Sequence, residues 1–171
     1  MEELMLTIRK MKTHDAKRVL AAFNEIVADS KWLLTGPGEG PKNVKEERAF
    51  IRSHLKSKNS ILALAEMNGE VIGFAGGEGG KKNRNTHVVL IGLAIRKQWR
   101  GKGVGKTLMK YLLSWAKRIG IVKLRLNVIE NNKIAYNLYR KMGFIKEGYF
   151  RREIRIGRRY YNTIEMAKFV R

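Results

Sequence analysis

An α/β fold, one domain with strands and helices interleaved along the chain, is what this sequence predicts, and three observations carry the prediction. Short runs of strand character recur, alternating at residues 4–9 and strand-length at 61–65, 71–75, 88–95 and 124–129. Between them, apolar residues return at the spacing of helix stripes. The length, 171 residues, suits one domain with a substantial core and is short for two, so residues 1–171 are read as a single unit.

Residues 4–9 alternate apolar and polar side chains as a strand does, and Thr13 can cap a helix whose Ala16, Val19, Leu20, Phe23, Ile26 and Val27 share one stripe. Both prolines of the chain, Pro37 and Pro41, fall in the glycine-rich segment 35–41, which must be a loop; Val44, Ile51 and Leu55 then restart a helical stripe. The runs 61–65 and 71–75 flank Asn68-Gly69, a pair suited to the positive φ angles of a tight hairpin turn. The polar, glycine-containing stretch 76–85 reads as a loop or frayed hairpin end before the strand 88–95. An amphipathic helix follows, with Val104, Leu108, Leu112, Trp115 and Ile119 on its apolar stripe and Gly120 as its stop. A strand at 124–129, a helix over 132–142 closed by Gly143, and strand-like runs on either side of Gly157 complete the order β-α-α-β-β-β-α-β-α-β-β.

Composition removes several function classes. With no cysteine there is no disulfide, thiolate nucleophile or cysteine zinc site, and His14, His54 and His87 are too scattered for a metal motif. No apolar run approaches the roughly 20 residues of a membrane span, and Met1-Glu2-Glu3 is acidic where a secretory signal would be basic, so a cytoplasmic location without membrane contact is expected. The formal charge is +21, from 36 Lys and Arg against 15 Asp and Glu. Such a surface gathers anions, whether a phosphorylated cofactor or RNA, and also fits a protein that is merely kept soluble or heat-stable by its charges.

The informative segment is 95–107, where Gly101, Gly103 and Gly105 alternate with Arg100, Lys102, Val104 and Lys106 between a strand and a helix start. Glycines let successive backbone N–H groups converge on one point, and the helix N-terminus adds its positive dipole end, so the loop is suited to phosphate. The dinucleotide fingerprint G-x-G-x-x-G fails on spacing. Gly105-Lys106-Thr107 spells the end of a P-loop, but position 100 is arginine where that motif opens with glycine. The only aspartates, Asp15 and Asp29, precede the loop, so the magnesium-binding aspartate is missing.

Arg100-x-x-Gly103-x-Gly105 resembles the (Gln/Arg)-x-x-Gly-x-(Gly/Ala) motif of the GNAT acetyltransferases. Downstream, Asn132-x-x-Ala135-x-x-Leu138-Tyr139-x-Lys141-x-Gly143-Phe144 resembles that family's second signature. The likeness is strong over 61–144 and weakest in the first sixty residues. It implies a GNAT fold, a mixed central sheet of about seven strands with helices on both faces, and transfer of an acetyl group from acetyl-CoA to an amine. By the same resemblance the cofactor arm lies along Leu93, Ala94 and Ile95, the pyrophosphate sits on the amides of residues 101–106, and Asn132 contacts the arm from the next strand. Tyr139 matches the family's general acid, which protonates the departing thiolate. The resemblance also implies an acceptor that is a small amine, an amino acid or a protein N-terminus, and a possible homodimer.

Deprotonating the amine needs a base, since a free ammonium has a pKa of about 8 to 10. Positions where relatives carry a glutamate hold Leu90 and Asn127. His87 and Glu78 remain, and His87 is preferred because an imidazole pKa near ~6.5 suits the task. A second expectation runs beside the first. Basic and aromatic residues interleave at Tyr149-Phe150-Arg151-Arg152 and Arg158-Arg159-Tyr160-Tyr161, a pattern that fits a protein of this fold with weak catalysis that binds RNA or the ribosome.

Overall fold

The structure, a computed structural model, describes residues 5–170; the expected strand start at Leu4 lies outside them. The first alternating run forms β1 (Leu6–Lys10), and the two following stripes form α1 (Ala16–Asp29) and α2 (Val44–Lys56). The hairpin is β2 (Ile61–Met67) and β3 (Glu70–Gly79), turned by Asn68 at φ 49° and Gly69 at φ 80°. Then come β4 (Val88–Ile95), α3 (Val104–Arg118), β5 (Lys123–Ile129), α4 (Lys133–Lys141), β6 (Ile145–Ile156) and β7 (Arg159–Phe169). Gly120 and Gly143, at φ 76° and 84°, close α3 and α4 in the left-handed conformation that a side chain would strain.

The seven strands form one sheet in the order β1-β2-β3-β4-β5-β7-β6. All neighbours run antiparallel except β4 and β5, which are parallel because α3 carries the chain back across the sheet between them. One face of the sheet is covered by the α3 stripe, with Leu108, Leu112 and Trp115 buried against Val89, Leu124 and Leu126. The other face is covered at one end by α1 and α2, where Val19, Ala22 and Ile51 pack on Leu64 and Val71. Helices on both faces of a mixed seven-stranded sheet are thus the architecture, as the sequence predicts.

Two expectations are corrected. The stretch read as a loop from residue 76 is strand as far as Gly79, with Gly76, Gly77 and Gly79 paired to Gly92, Ile91 and Val89. At Gly77 a Cβ would lie 2.9 Å from Val89 Cγ1, so glycine there answers a close approach within the sheet rather than a turn. Thr13 does not cap α1. The chain enters the helix through a 3-10 turn at Thr13–Asp15, and the side chain that organises it is Asp15.

Asp15 is fully buried, and its carboxylate accepts from Arg9 at 2.7 and 2.8 Å, from Arg18 at 2.6 Å and from the Lys12 amide at 2.8 Å. Glu66 on β2 takes the other side of both guanidiniums, at 2.8 Å from Arg9 Nε and 2.7 Å from Arg18 Nη1. Burial alone would raise the Asp15 pKa, but the hydrogen bonds from Arg9, Lys12 and Arg18 outweigh it and hold the carboxyl well below its ordinary range. A depressed carboxylate stabilises the fold above its unfolded pKa of about 4, and that contribution is lost as the pH falls below it. Asp15→Asn should therefore cost about 3 kcal/mol at pH 7, because two guanidiniums lose their shared partner. The difference between variant and parent in urea unfolding should shrink as the pH is lowered below 4.

Candidate active site

Pairing between β4 and β5 covers only Val88↔Lys123, Val89↔Leu124 and Leu90↔Arg125. Both strands continue beyond that point, β4 to Ile95 and β5 to Ile129, and each keeps its outer neighbour. Ile95 still pairs with Gly73 on β3, and Ile129 with Thr163 on β7. The parallel ladder therefore stops while the sheet on either side goes on, and the two strands part into a wedge. Leu93, Ala94 and Ile95 form one wall, and the N–H and C=O groups that would have met β5 line it.

The glycine loop stands at the mouth of this wedge. It leaves β4 through a 3-10 turn at Lys97–Trp99, passes Gly101 at φ 76° and Gly103 at φ 85°, and becomes α3 at Val104. Six successive amide N–H groups, residues 101–106, have no acceptor among the described residues, and the first backbone bond of the helix is from the Thr107 amide to the Gly103 carbonyl. The indole N–H of Trp99, in the same loop, is also buried without an acceptor. A run of unpaired donors at a helix start, on glycines that admit close approach, is the chemistry that receives a pyrophosphate.

The charges around this nest divide differently from the expectation. Arg100 donates from Nε to the Ile95 carbonyl at 2.9 Å, and its Nη1 lies 2.7 Å from Asp29 at the end of α1. It anchors the loop to β4 and α1, and its charge is largely met by Asp29. Lys102 and Lys106 are exposed and remain available, with Lys102 Nζ 5.0 Å from the centre of the Trp99 ring. Gly105 has a packing role: a Cβ there would come within 3.1 Å of both Ile95 Cδ1 and Leu138 Cδ2, so its absence lets α3 start against β4 and α4.

On α4, Tyr139 is buried in the cluster that holds Ile91, Leu126 and Val128, the side chains of β4 and β5 at the wedge. Its ring packs on Phe144 at 6.1 Å between centroids, and its hydroxyl has no hydrogen-bond partner among the described residues. Burial pushes its pKa up to about 12. Asn132 is the N-cap of α4, its Oδ1 accepting from the Ala135 amide at 3.2 Å, which leaves its NH2 group as a donor. The loop, the β4 wall, Asn132 and Tyr139 are thus gathered at one end of β4.

His87 is not gathered there. It precedes β4 at the closed end of the wedge, where its carbonyl accepts from the Val122 and Lys123 amides, and Leu93 lies six residues away, about 20 Å along the strand. Glu78 faces outward and pairs with Lys81 at 3.1 Å. The carboxylate that does stand beside the wedge is Glu165, opposite Asn127 in the β5–β7 register, a neighbour that only strand pairing reveals. A separate cavity of about 420 Å³ between α1 and the loop 37–42, lined by Phe23, Val27, Pro37 and Lys42 among others, contains none of the candidate catalytic or cofactor-binding residues.

Comparison with known proteins gives a consistent picture. Residues 27–144 match the family described as acetyltransferase (GNAT). An N-alpha-acetyltransferase of Sulfurisphaera tokodaii is 31% identical over 129 residues, covering 69% of this chain and 72% of that protein. The L-amino acid N-acetyltransferase AaaT of Escherichia coli K12 is 23% identical over 149 residues, covering 86% of each. Among solved structures, an acetyltransferase of the GNAT family from Streptococcus pneumoniae superimposes with a TM-score of 0.92 at 27% identity, covering 98% of this chain and 100% of its own. The tight fit at Gly105 carries a stability prediction: Gly105→Val should lower unfolding free energy by about 1–3 kcal/mol through overpacking against Ile95 and Leu138, as read by chemical denaturation.

Proposed function

The chain belongs to the GNAT acetyltransferase family, and from that premise we propose that it moves the acetyl group of acetyl-CoA to a primary amine by direct attack with both substrates bound. The observation that carries this reading is the run of six acceptor-less amides, residues 101–106, at the mouth of the β4–β5 wedge. Bound there, acetyl-CoA supplies an acetyl thioester and a thiolate leaving group.

The chain's own residues then have distinct tasks. The amides of residues 101–106 hold the pyrophosphate, and Lys102 and Lys106 add charge around it. The edge of Leu93, Ala94 and Ile95, apart from the Ile95 carbonyl held by Arg100, offers the hydrogen bonds of a missing strand to the amide-bearing arm, and Asn132 offers its NH2 group from the opposite wall. Tyr139, whose pKa burial pushes up to about 12, keeps its proton throughout the physiological range and gives it to the departing thiolate; the attacking amine sheds its own proton to water, from which the phenolate is reprotonated. The same desolvation that raises the phenol would raise the proton affinity of a thiolate formed beside it, which keeps the two matched. Holding both reactants in one wedge supplies the rest by proximity.

The acceptor classes expected from the sequence are a small amine, an amino acid and a protein N-terminus; among the relatives, one is named for N-alpha-acetylation and another for L-amino acids, which supports the last two. A second reading concerns the surface charge. The β6–β7 hairpin carries Lys146, Arg151, Arg152, Arg155, Arg158 and Arg159 beside exposed Phe150 and Tyr160, an arrangement able to follow a phosphate backbone and stack bases.

Calorimetric titration with acetyl-CoA at physiological salt should show saturable one-to-one binding. RNA binding with steep salt dependence and no acetyl-CoA binding would replace the enzymatic reading by the second. Tyr139→Phe should lower kcat about 100-fold while acetyl-CoA affinity stays within a factor of about two. Unchanged turnover would remove Tyr139 from the chemistry.

A further inference from the structure

Tyr139 and the helix-bound cluster reach the wedge from one face of the sheet, which leaves the other face for the acceptor. Strand alternation assigns the sides. Ile91, Leu126, Val128 and Ile164 point into the α3–α4 cluster, so Gly92, Asn127 and Glu165 point the opposite way. On that face α1 and α2 pack over β2 and β3, whereas Gly92, Arg125 and Asn127 are exposed. Gly76 pairs with Gly92 on one side of the wedge, and Asn127, Glu165 and Gly148 form a row on the other; a Cβ at Gly92 would meet nothing within 4 Å, whereas Gly76 is covered by Leu62 and Gly148 by Phe150. The result is a trough open at Gly92, with the side chains of Arg125 and Glu165 beside the wedge.

Glu165 is the carboxylate of that row. Its side chain is 20% exposed, and its Oε1 accepts from Arg125 Nη1 at 3.2 Å. Its second oxygen has no protein partner among the described residues. Other carboxylates around the site have partners of their own: Asp29 is paired with Arg100 and Lys97, Glu25 with Arg96, Glu78 with Lys81, and Glu130 accepts from Tyr149 and Asn162 through one oxygen. In a protein of charge +21, an ammonium group is repelled over most of the surface, so a carboxylate with an open oxygen on the exposed face of the wedge attracts it there. Arg125, 45% exposed, faces the same trough with a charge of the other sign. A partly exposed pair of this kind holds together weakly, by roughly 0–1 kcal/mol, and exchanges readily for a ligand carrying both charges.

We propose that Glu165 and Arg125 form a receptor for the zwitterion of a free α-amino acid, Glu165 taking its ammonium and Arg125 its carboxylate, so that the amine is held beside the wedge on the side opposite Tyr139. This rests on the acetyltransferase reading for its purpose and narrows the acceptor to free amino acids. The arginine fork matches a carboxylate in two parallel hydrogen bonds, a match that lysine would not offer. On the same face the half-buried Phe74 and the exposed Phe150 offer apolar contacts to the ligand's side chain.

The test is binding, measured apart from turnover. Each of the twenty L-amino acids, and the carboxamide of each, is titrated into the full chain by ligand-observed NMR, with and without saturating CoA. At least one amino acid should bind at least tenfold more tightly than its carboxamide. Glu165→Gln should weaken that amino acid and its carboxamide alike, by tenfold or more. Arg125→Met should weaken only the acid, which removes the preference, and neither variant should alter acetyl-CoA affinity by more than about twofold. Equal affinity for acid and carboxamide in the parent protein, no amino-acid binding under either condition, or full binding by Glu165→Gln overturns the proposal. Absence of acetyl-CoA binding would instead count against the acetyltransferase reading, and the amino-acid titrations would still report on the receptor.

Discussion

The interrupted ladder between β4 and β5 is the constraint on which the rest depends. Three paired residues at Val88, Val89 and Leu90 join two halves of a sheet that are otherwise antiparallel and self-contained, β1 to β4 on one side and β5, β7 and β6 on the other. Beyond Leu90 the two halves diverge without either losing its own register. Backbone groups in the middle of a sheet are costly to leave without partners, so a persistent break of this kind is sustained by the strength of the outer pairings and answered by whatever enters it. The walls of the wedge need no side chain of a particular kind, because hydrogen bonds of the main chain are what they offer.

The glycine loop is held in place by charge rather than by packing alone. Arg96 reaches Glu25 on α1 at 3.2 Å and also pairs with Glu70 on β3, while Arg100 ties the loop to Asp29 and to the end of β4. Both guanidiniums therefore bind protein carboxylates, and what the loop leaves available is its amides and the exposed Lys102 and Lys106. A signature arginine that looks like a phosphate ligand in the sequence serves as a strut in the structure. That division leaves the amides of residues 101–106 without acceptors among the described residues at the start of α3.

Much of the fold was legible because local signals and tertiary structure agree. The helical stripes, the Asn68-Gly69 turn and the stops at Gly120 and Gly143 all follow from backbone and side-chain preferences acting over a few residues. The segment 76–79 was not legible, since glycine there answers contacts from Val89 and Ile61, residues distant in sequence. Thr13 is a good capping residue by type, but Asp15 two residues later lies among two arginines that sequence spacing does not bring together. The same limit governs the site. Positions 93–106, 132 and 139 could be named from motifs, whereas the distance of His87 from them and the adjacency of Glu165 to Asn127 are properties of strand register. Register depends on long-range pairing, and no periodicity within β7 reports it.

The two faces of the sheet share the wedge and little else. One face offers main-chain amides, which any residue provides and which substitutions at the exposed positions 102 and 106 leave in place. The other offers a few side chains around the open position of Gly92. On the function proposed above, changes at Arg125, Asn127 or Glu165 would exchange one acceptor for another without re-forming the glycine loop, so that novelty could arise on one surface of a single layer of strands while the other stays as it is.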